Sequence, residues 1–547
     1  NLKNELEKEG TQFNSHSDTE VIIYLYKKHG PSFLKHLRGM FALAIWDTQK
    51  RELFVARDRI GKKPFKYCID EERCIFASEL KAIFTDPSVP KKVDWEAIDQ
   101  YLTYKYVPAP LTGFEGIKKL LPGHYMVVKE NGDYTIEQYW DVDFSEKKSL
   151  SESEWERRVE EKIEEATRLR LYADVPLGVH LSGGVDSSII TAFAAKHTQK
   201  SLQTFSICSK EEAFSELSHA RRVAEHCGTT HHEYIVTPEV TRVLPDLVYA
   251  YEEPYADASA VPTWFLAQET KKHITVALNG DGGDEQFAGY ERHLVPKLHR
   301  ILTVLPGKMF MRTFLRLLVD RNVLAYTGVT EKSLRLLSAY HSDLYVFYKN
   351  IITHCTDADK QRIYTEDRMN RMHVAKSADG FEEYFSNGEK MSPLDRLLYL
   401  GIHSHLPNDL LVKVDIATMA HGVEVRSPLL DHELFELTAR MPDTLKVRGF
   451  DKKYLLKKIA RKYVPAECVD RPKQGFVLPL RSWFQDELHE YLRSHLLDEG
   501  FLGYGFKKEG IEHMIVRHKE GKEDYTNQLW TLLTLKHWLD VWFAESK

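Results

Sequence analysis

The spacing of apolar residues divides the chain into two parts with different expected secondary structure. Up to about residue 145, an amphipathic helix at 20–29 is followed by short segments rich in aromatic and β-branched residues. Such segments, joined by short polar turns, are typical of antiparallel strands. They span 41–47, 52–59, 64–70 and 74–79. A polar stretch over 141–154 then predicts a domain boundary.

From about residue 155 the pattern changes to amphipathic helices that alternate with short apolar strands. Strands are predicted at 177–181, 202–207, 231–236 and 274–278. Strand–helix alternation of this kind indicates βαβ units and therefore a parallel sheet. Residues after about 294 are predicted to be mostly helical, and the helix at 529–543 carries a leucine and tryptophan stripe that we interpret as core.

The composition is that of a globular protein with more than one domain. Of the 547 residues, 43% are hydrophobic and 29% are charged, and the net charge is −6. The chain has no apolar run near the ~18 residues of a membrane-spanning helix and no basic block of the kind that binds nucleic acid. The 6 cysteines form no CxxC pair, which argues against a zinc ribbon or a disulfide framework and favours a reducing cytoplasm.

The strongest chemical signal is the segment SGGVDSS at 182–188, between a predicted strand and a predicted helix. A strand-to-helix turn with two glycines exposes backbone N–H groups that, with the helix N-terminus, bind anions. Asp186 is a candidate ligand for a magnesium ion that bridges phosphates. The alternative is an ordinary helix N-cap with turn glycines. The lysine of a P-loop is absent from the segment.

A second glycine-rich segment, NGDGGDE at 279–285, also follows a predicted apolar strand. Loops at the carboxyl ends of parallel strands line one crevice, so we expect both segments to face one site. Asp186 and Asp284 would then form a carboxylate pair able to share magnesium. Taken alone, the second segment is also compatible with an ordinary turn, and its spacing does not match an EF-hand.

The motifs together identify a family. SGGVDSS resembles the pyrophosphate loop of ATP pyrophosphatases, and the wider set resembles the glutamine-dependent asparagine synthetase family. The motifs, in chain order, are SHSDTE, GMFALAIWD, ARDRIGKKPFKY, LPGHY, LSGGVDSS, TFSI, NGDGGDEQFAGY, DLLVKVDIATMAHGVEVRSPLLDHE and KQGFVLPL. The resemblance implies an α/β and α+β protein. Residues 1–145 would be a partial class II glutamine amidotransferase domain, an Ntn-type αββα sandwich. Residues 155–547 would be a doubly wound parallel-sheet ATP pyrophosphatase domain with a helical C-terminal extension.

The resemblance also implies a reaction, in which aspartate is converted to asparagine through β-aspartyl-AMP with release of AMP and pyrophosphate. Glutamine or ammonia would supply the nitrogen, ATP would be a substrate, Mg²⁺ a cofactor, and a homodimer is compatible with the family. By resemblance, ATP would contact Leu181, Ser182, Gly183, Gly184, Asp186, Ser187, Ser188, Ile207, Asn279 and Gly280. Asp186 and Asp284 would bind the metal, Asp281 and Lys473 would take part in catalysis, and Asp18 would bind glutamine.

Some of these assignments have competing structural interpretations. Without the family, Lys473 is a solvated surface lysine, and Asp18 belongs to helix-start chemistry because Ser17-x-x-Glu20 reads as a capping box. A dense charge set is equally compatible with an ion-pair network and with substrate orientation, and its first two members, four residues apart, would pair on a helix. The set comprises Asp409, Lys413, Asp415, Glu424, Arg426 and Asp431. His231, His232, His403 and His405 are interpreted as ordinary polar residues.

The start of the chain bears on the nitrogen source. In the family, the glutaminase nucleophile is an N-terminal cysteine whose α-amino group acts as base. The sequence begins with Asn1, and SHSDTE belongs to the later half of such a domain, so we expect this chain to use free ammonia rather than glutamine. The competing functions are amidation of another carboxylate (a sugar, a peptide or a β-lactam precursor) and nucleotide binding without catalysis. NAD, GMP and argininosuccinate synthetases fit the motif order less well.

Overall fold

The computed structural model describes residues 2–199, 201–209, 213–236, 240–304, 339–373, 380–388, 390–470 and 478–543. The chain divides into two compact units. The first comprises Asn1–Pro90 and Gly116–Val142, and the second comprises Lys91–Glu115 and Asp143–Lys547. A 25-residue excursion from the first part of the sequence therefore packs with the second unit.

The first unit contains two antiparallel sheets. Its strands are β1 (Ala42–Asp47), β2 (Glu52–Arg57), β3 (Lys66–Ile69), β4 (Cys74–Ala77), β5 (Ile117–Lys119), β6 (His124–Lys129) and β7 (Tyr134–Gln138). One sheet has the order β1-β2-β6-β7 and the other the order β4-β3-β5. The helices are Leu2–Lys8, Asp18–His29, the 3-10 helix Gly30–His36, and Leu80–Ile83.

Alternation along β2 explains how these layers are held together. Phe54 packs in a cluster with Leu25 of the helix Asp18–His29, on one face of the larger sheet. Val55 points the other way and packs with Phe65 in a cluster between the two sheets. Successive side chains of a strand face opposite sides, so one strand serves both layers. The sandwich prediction for this part of the chain is confirmed.

The second unit is built on a parallel sheet. Its strands are β8 (Leu177–His180), β9 (Gln203–Ser209), β10 (Thr230–Val236), β11 (Val276–Leu278) and β12 (Glu424–Arg426), in the order β10-β9-β8-β11-β12. All neighbouring pairs are parallel. The chain runs outward from β8 to β10 and then returns to the other side of β8 at β11. The reversal makes the space beyond β8 and β11 the expected ligand crevice.

The helices of this unit surround the sheet and form the C-terminal extension. Those that connect the strands are Val185–His197, Ala213–Cys227, Val240–Tyr251 and Ala260–Lys271. The other described helices are Trp95–Tyr104, Glu152–Arg170, Gly283–Phe287, Val295–Val304, Leu344–Ile352, Asp357–Ile363, Glu366–His373, Gly380–Asn387, Pro393–His403, Leu411–Met419, His432–Ala439, Asp443–Lys446, Tyr454–Ala460, Ala466–Val469, Leu480–Gln485, His489–Leu496, Glu499–Leu502, Lys508–Lys519 and Thr526–Phe543. The short helices Glu291–Leu294 and Pro428–Leu430 are of the 3-10 type, and Leu406–Leu410 is a π-helix. A hairpin joins β13 (Val447–Arg448) and β14 (Asp451–Lys452).

The α/β prediction for the second unit is confirmed, and its parallel sheet has one strand more than the sequence indicated. β12 has three residues, and of these only Val425 is a buried apolar residue. A short charged segment of this kind carries too little hydrophobic pattern to predict a strand. The stripe of the last helix is core as expected, since Trp538 is fully buried and its indole N–H donates to the Glu252 carbonyl at 2.8 Å.

A buried ion cluster fixes the segment that opens the second unit. The ammonium groups of Lys446 and Lys147 lie 2.7 and 2.5 Å from the two carboxylate oxygens of Asp395. Asp395 and Lys446 are completely buried, and Lys147 also donates to the Ala439 carbonyl at 2.7 Å.

No helix in the described part of the chain is long and apolar enough to cross a membrane.

Candidate active site

The first glycine-rich loop leaves β8 at the crevice. Gly183 has φ +71°, and a Cβ there would lie 2.6 Å from the backbone nitrogen of Ala220, so only glycine fits. The backbone N–H of Ser182 donates to the Ser187 hydroxyl at 3.2 Å, which closes the loop. The helix Val185–His197 begins here without a side-chain cap. An uncapped helix N-terminus after a tight glycine turn is the arrangement that binds phosphate.

The second glycine-rich loop lies against the first. β11 pairs directly with β8, so the two loops leave neighbouring strands. A Cβ on Gly280 would lie 2.6 Å from the backbone nitrogen of Ser187, and one on Gly283 would lie 2.3 Å from a carboxylate oxygen of Asp186. Both glycines are therefore required by contact between the loops. The structure brings together the two segments that the sequence placed in one crevice.

Asp186 and Asp284 face each other across Lys453. The Lys453 ammonium lies 2.7 Å from a carboxylate oxygen of Asp284 and also pairs with Asp186. Burial opposes the charge on Lys453, but the two carboxylates raise its pKa above the ordinary value, so the ammonium remains protonated. The three side chains form a buried cluster with a formal charge of about −1.

Lys453 is held in place by its backbone as well. Its φ of +55° is unusual for a residue other than glycine. Its N–H donates to the Phe287 carbonyl, at 3.1 Å, and its carbonyl accepts from Lys457 in the next helix. A Cβ on Gly289 would lie 2.0 Å from the Lys453 Cε and 1.9 Å from a carboxylate oxygen of Asp284. The chain thus leaves space at Gly289 for this ion pair.

Sequence reasoning missed Lys453. It lies in the run DKKYLLKK, which reads as the solvated face of a lysine-rich helix. The structure shows Lys453 as the N-cap of the helix Tyr454–Ala460, where a serine, threonine or aspartate is usual, but the sequence alone does not show where this helix begins.

The donor set fits magnesium only in part. Carboxylate oxygens suit this ion, which is commonly held by one or two carboxylates together with substrate phosphates. Asp186 and Asp284 supply two such groups. Among the residues that the structure describes, no group of three or more His, Cys, Asp or Glu side chains could hold a metal ion by itself. The residues present therefore fit an ion that completes its ligands from a nucleotide.

The remaining predicted residues of this site are placed as follows. Leu181 and Ile207 are buried, at 1% and 4% exposure; Leu181 directly follows β8, and Ile207 lies in the neighbouring strand β9. The side-chain amide of Asn279 donates to the Asp281 carboxylate at 2.5 Å. Ser188 is fully buried in the first turn of its helix. Lys473 lies outside the described residues.

A buried polar cluster adjoins Asp281. The Lys413 ammonium lies 3.1 Å from the Asp257 carboxylate and 3.0 Å from the Ser259 hydroxyl. Its pKa is raised above the ordinary value although burial opposes this, and the carboxylates responsible are those of Asp257, Asp409 and Asp281. A protonated lysine thus lies within electrostatic range of Asp281.

The expected pair between Asp409 and Lys413 is wrong. The Lys413 ammonium pairs with Asp257, and Asp409 lies in the π-helix Leu406–Leu410 that precedes the helix of Lys413. The Asp409 carboxylate instead lies 3.1 Å from His405 and accepts from the Tyr255 hydroxyl at 2.5 Å. His405, interpreted from the sequence as an ordinary polar residue, therefore belongs to the charged cluster.

The rest of the predicted charge set serves the fold. Arg426 pairs with Glu424 at 2.6 Å within β12. The buried carboxylate of Asp431 lies 3.0 Å from Arg170 and caps the helix His432–Ala439. These contacts match the ion-pair interpretation of the set.

In the first unit, Asp18 is the exposed first residue of the helix Asp18–His29. Ser17 caps this helix by accepting from the Thr19 N–H at 3.2 Å. The predicted capping box is wrong, because the Glu20 carboxylate accepts from the N–H groups of Asn14 and Ser15, both at 2.8 Å, rather than from Ser17. The helix Asp18–His29 therefore has the Ser17 side-chain cap but lacks the hydrogen bond from the Ser17 N–H to Glu20 that would complete a capping box.

The fold is that of a parallel α/β unit with two glycine-rich loops in contact, together with an amidotransferase-type sandwich. The family model described as asparagine synthase matches residues 158–540, and that described as glutamine amidotransferase domain matches residues 1–140. The chain belongs to the asparagine synthase family, and it is an enzyme of the carbon–nitrogen ligase class.

Individual relatives agree with this assignment. Asparagine synthetase [glutamine-hydrolyzing] 1 of Bacillus subtilis (strain 168) is 32% identical over 542 residues, covering 99% of this chain and 83% of the relative. A putative asparagine synthetase of Mycobacterium tuberculosis (strain ATCC 25618 / H37Rv) is 30% identical, covering 100% of this chain and 83% of the relative. Amidase chyE of Penicillium rubens is 27% identical, covering 92% of this chain and 79% of the relative.

Proposed function

We propose that the chain converts aspartate to asparagine in an ATP-dependent reaction that passes through β-aspartyl-AMP and releases AMP and pyrophosphate. The observation that carries this proposal is the contact between the two glycine-rich loops, with Asp186 and Asp284 on either side of Lys453. Relatives named asparagine synthetase support the choice of aspartate.

The first chemical step requires a site for the triphosphate. The loop amides at 182–187 and the uncapped helix N-terminus would hold its oxygens. Lys453 would offset the charge that builds on pyrophosphate as a carboxylate oxygen of aspartate attacks the α-phosphorus. When bound, magnesium held by Asp186 and Asp284 would supply polarisation of the phosphate oxygens.

In the second step ammonia attacks the activated acyl carbon and AMP leaves. A base must then take a proton from the attacking nitrogen. We assign this role to Asp281, which lies on the loop after β11 with Asn279 holding its carboxylate at 2.5 Å. Lys473 remains a candidate for stabilising the charge on the phosphoryl and acyl groups, by resemblance to the family.

We further propose free ammonia as the nitrogen source for these 547 residues. Cys68 and Cys74 are the cysteines of the first unit. Burial raises the pKa of both thiols, that of Cys74 to about 11, so neither is an activated nucleophile for glutamine hydrolysis. All 6 cysteines are free, which supports a reducing, cytoplasmic compartment.

The test is to incubate the protein with ATP, Mg²⁺ and ammonia in the presence of a panel of carboxylates, following AMP, pyrophosphate and amide. We expect equal amounts of AMP and asparagine with aspartate, and none with glutamine in place of ammonia. Asp186→Asn and Asp284→Asn should abolish AMP formation, whereas Asp174→Asn, at an exposed position, is the matched control. ATP binding without AMP formation for any carboxylate would contradict the proposal.

A second candidate is amide formation on another carboxylate. The similarity to a relative named as an amidase favours keeping it. It predicts that a different member of the carboxylate panel forms AMP faster than aspartate does.

A further inference from the structure

Most of Arg292 lies inside the protein, and its guanidinium forms no salt bridge within the described part of the chain. Arg292 follows Tyr290 by two residues, in the 3-10 helix Glu291–Leu294, and its guanidinium carbon lies 4.3 Å from the centre of the Tyr290 ring. Its Nε is buried without a hydrogen-bond partner. Burying a charge without an anion costs free energy, so the position calls for an explanation beyond folding.

The groups around Arg292 keep it charged without neutralising it. Tyr106 and Tyr348 are 5% and 2% exposed and lie within electrostatic range of the guanidinium. Burial acts to lower the pKa of Arg292, but these rings, Tyr290 and the Glu285 carboxylate raise it. Glu285 is engaged elsewhere, because it accepts from the Tyr290 hydroxyl at 2.5 Å. The arginine is thus lined by aromatic rings rather than paired.

The same tyrosine links this position to the nucleotide loops. Glu285, its hydroxyl partner, is the neighbour of Asp284 in the chain. On its other side, the Tyr290 ring centre lies 5.8 Å from that of His405, whose imidazole pairs with Asp409. The arginine therefore adjoins the polar cluster that also contains Lys413 and reaches Asp281.

We propose that Arg292 binds the α-carboxylate of the amino-acid substrate. A guanidinium presents paired N–H donors that match a carboxylate, and Lys or a backbone amide does not provide this geometry. The β-carboxylate must lie at the phosphate loops to react, so the second carboxylate needs a cation at a distance from them. This assignment rests on the proposed function, since it names the group that would recognise the substrate of that reaction.

If Arg292 binds the α-carboxylate, the site selects substrates that carry a second carboxylate. A monocarboxylate would leave the Arg292 guanidinium unpaired, whereas an α-carboxylate would supply its missing anion. A site built to pair a buried polar group rejects an analogue that lacks the partner. Isoasparagine, which carries an amide in place of the α-carboxylate, and 3-aminopropanoate, which lacks it, should therefore bind poorly although both keep the reacting carboxylate.

The experiment measures binding and turnover separately, in Arg292→Gln, Arg292→Lys and the control Arg300→Gln, an exposed arginine of the next helix. With Arg292→Gln we expect aspartate affinity to fall and its KM to rise about 10- to 100-fold, with the KM for ATP within about twofold. The preference for aspartate over isoasparagine should fall by the same factor, and Arg300→Gln should change none of these. Arg292→Lys should lower the affinity for aspartate by a smaller factor and leave the affinity for ATP unchanged. If Arg292→Gln does not fold, the result with Arg292→Lys tests the assignment.

The outcomes separate the two proposals. Unchanged aspartate affinity in a folded Arg292 variant overturns the assignment and leaves the proposed function standing. Aspartate binding that depends on Arg292, without AMP formation, supports the assignment and contradicts the proposed function.

Discussion

The second unit contains two lysine–carboxylate clusters in which the numbers of lysines and carboxylates are reversed. In one, Lys147 and Lys446 meet the single carboxylate of Asp395. In the other, the single lysine Lys453 meets the carboxylates of Asp186 and Asp284. The side-chain chemistry is the same, but the balance of charge is opposite.

Their surroundings explain the difference in role. Asp395 is completely buried, and its carboxylate also accepts from Ser392 at the start of its helix. The Lys453 cluster instead borders glycines, since Gly283 and Gly289 leave space where a side chain would stand. The first cluster is saturated and serves the fold. The second carries excess negative charge beside the two glycine-rich loops, as expected of a site that receives a cation and phosphates.

The sharpest test of this comparison exchanges one lysine in each cluster for methionine. Lys453→Met should lower the rate of pyrophosphate release about 100- to 1,000-fold, because a charge that acts on the leaving group is lost. Lys446→Met should leave the rate of the folded fraction nearly unchanged. Steady-state assays with a urea denaturation curve for each variant separate the effects. If both variants lost activity equally while folded, the two clusters would not differ in role.

The second test concerns stability. Asp395→Asn leaves the buried ammonium of Lys446 and the partly exposed ammonium of Lys147 without the carboxylate that they pair with. It should therefore lower the free energy of unfolding by about 3–5 kcal/mol. The measurement is the urea midpoint, with Asp174→Asn as the exposed control. A change below about 1 kcal/mol would show that the Asp395 cluster is not structural.

A third test uses two glycines. Gly289→Ala should displace the Asp284–Lys453 pair and reduce turnover, since its Cβ would lie 1.9 Å from the carboxylate. Gly401 lies in the helix Pro393–His403, and a Cβ there would meet nothing within 4 Å. Gly401→Ala should therefore stabilise the protein by up to about 1 kcal/mol and leave turnover unchanged. Equal turnover in the two variants would contradict the role given to Gly289.

A fourth test, outside both clusters, concerns the pH dependence of stability. Burial lowers the pKa of His180, in the strand before the first loop, from 6.5 to about 4. Because the folded pKa is below the unfolded one, His180 does not destabilise the fold above pH 6.5 and costs stability progressively as pH falls toward 4. Over that range we expect a loss of up to about 3 kcal/mol in melting experiments. His180→Gln should flatten this slope, and an unchanged slope would exclude His180 as its source.

The sequence predicted what is local in this molecule. Short runs of consecutive residues carry the strand–helix alternation from β8 to β11 and the two glycine-rich loops. The parallel sheet and the contact between the loops could therefore be predicted. The antiparallel strands of the first unit are similarly visible as short aromatic segments.

What escaped prediction depends on distant residues or on a choice between two equally spaced partners. Lys453 joins its carboxylates from 267 residues beyond Asp186, and nothing in its neighbourhood marks it as buried. Arg292 is notable only for the anion that it lacks, which no sequence pattern reveals. Asp409 pairs with His405, four residues before it, rather than with Lys413, four residues after it, and the i, i+4 rule alone does not choose between these two partners.

The excursion Lys91–Glu115 has a consequence for how the gene can be divided. The chain crosses between the units at three points, after Pro90, Glu115 and Val142. Within the excursion, the Tyr101 hydroxyl donates to the Thr531 carbonyl at 2.8 Å, and Asp99 pairs with Lys360 at 2.7 Å. A single cut near residue 143 would therefore strip the ligase unit of one of its own helices, Trp95–Tyr104. A ligase unit expressed separately would need the helix Trp95–Tyr104 to be added to it as a fused segment.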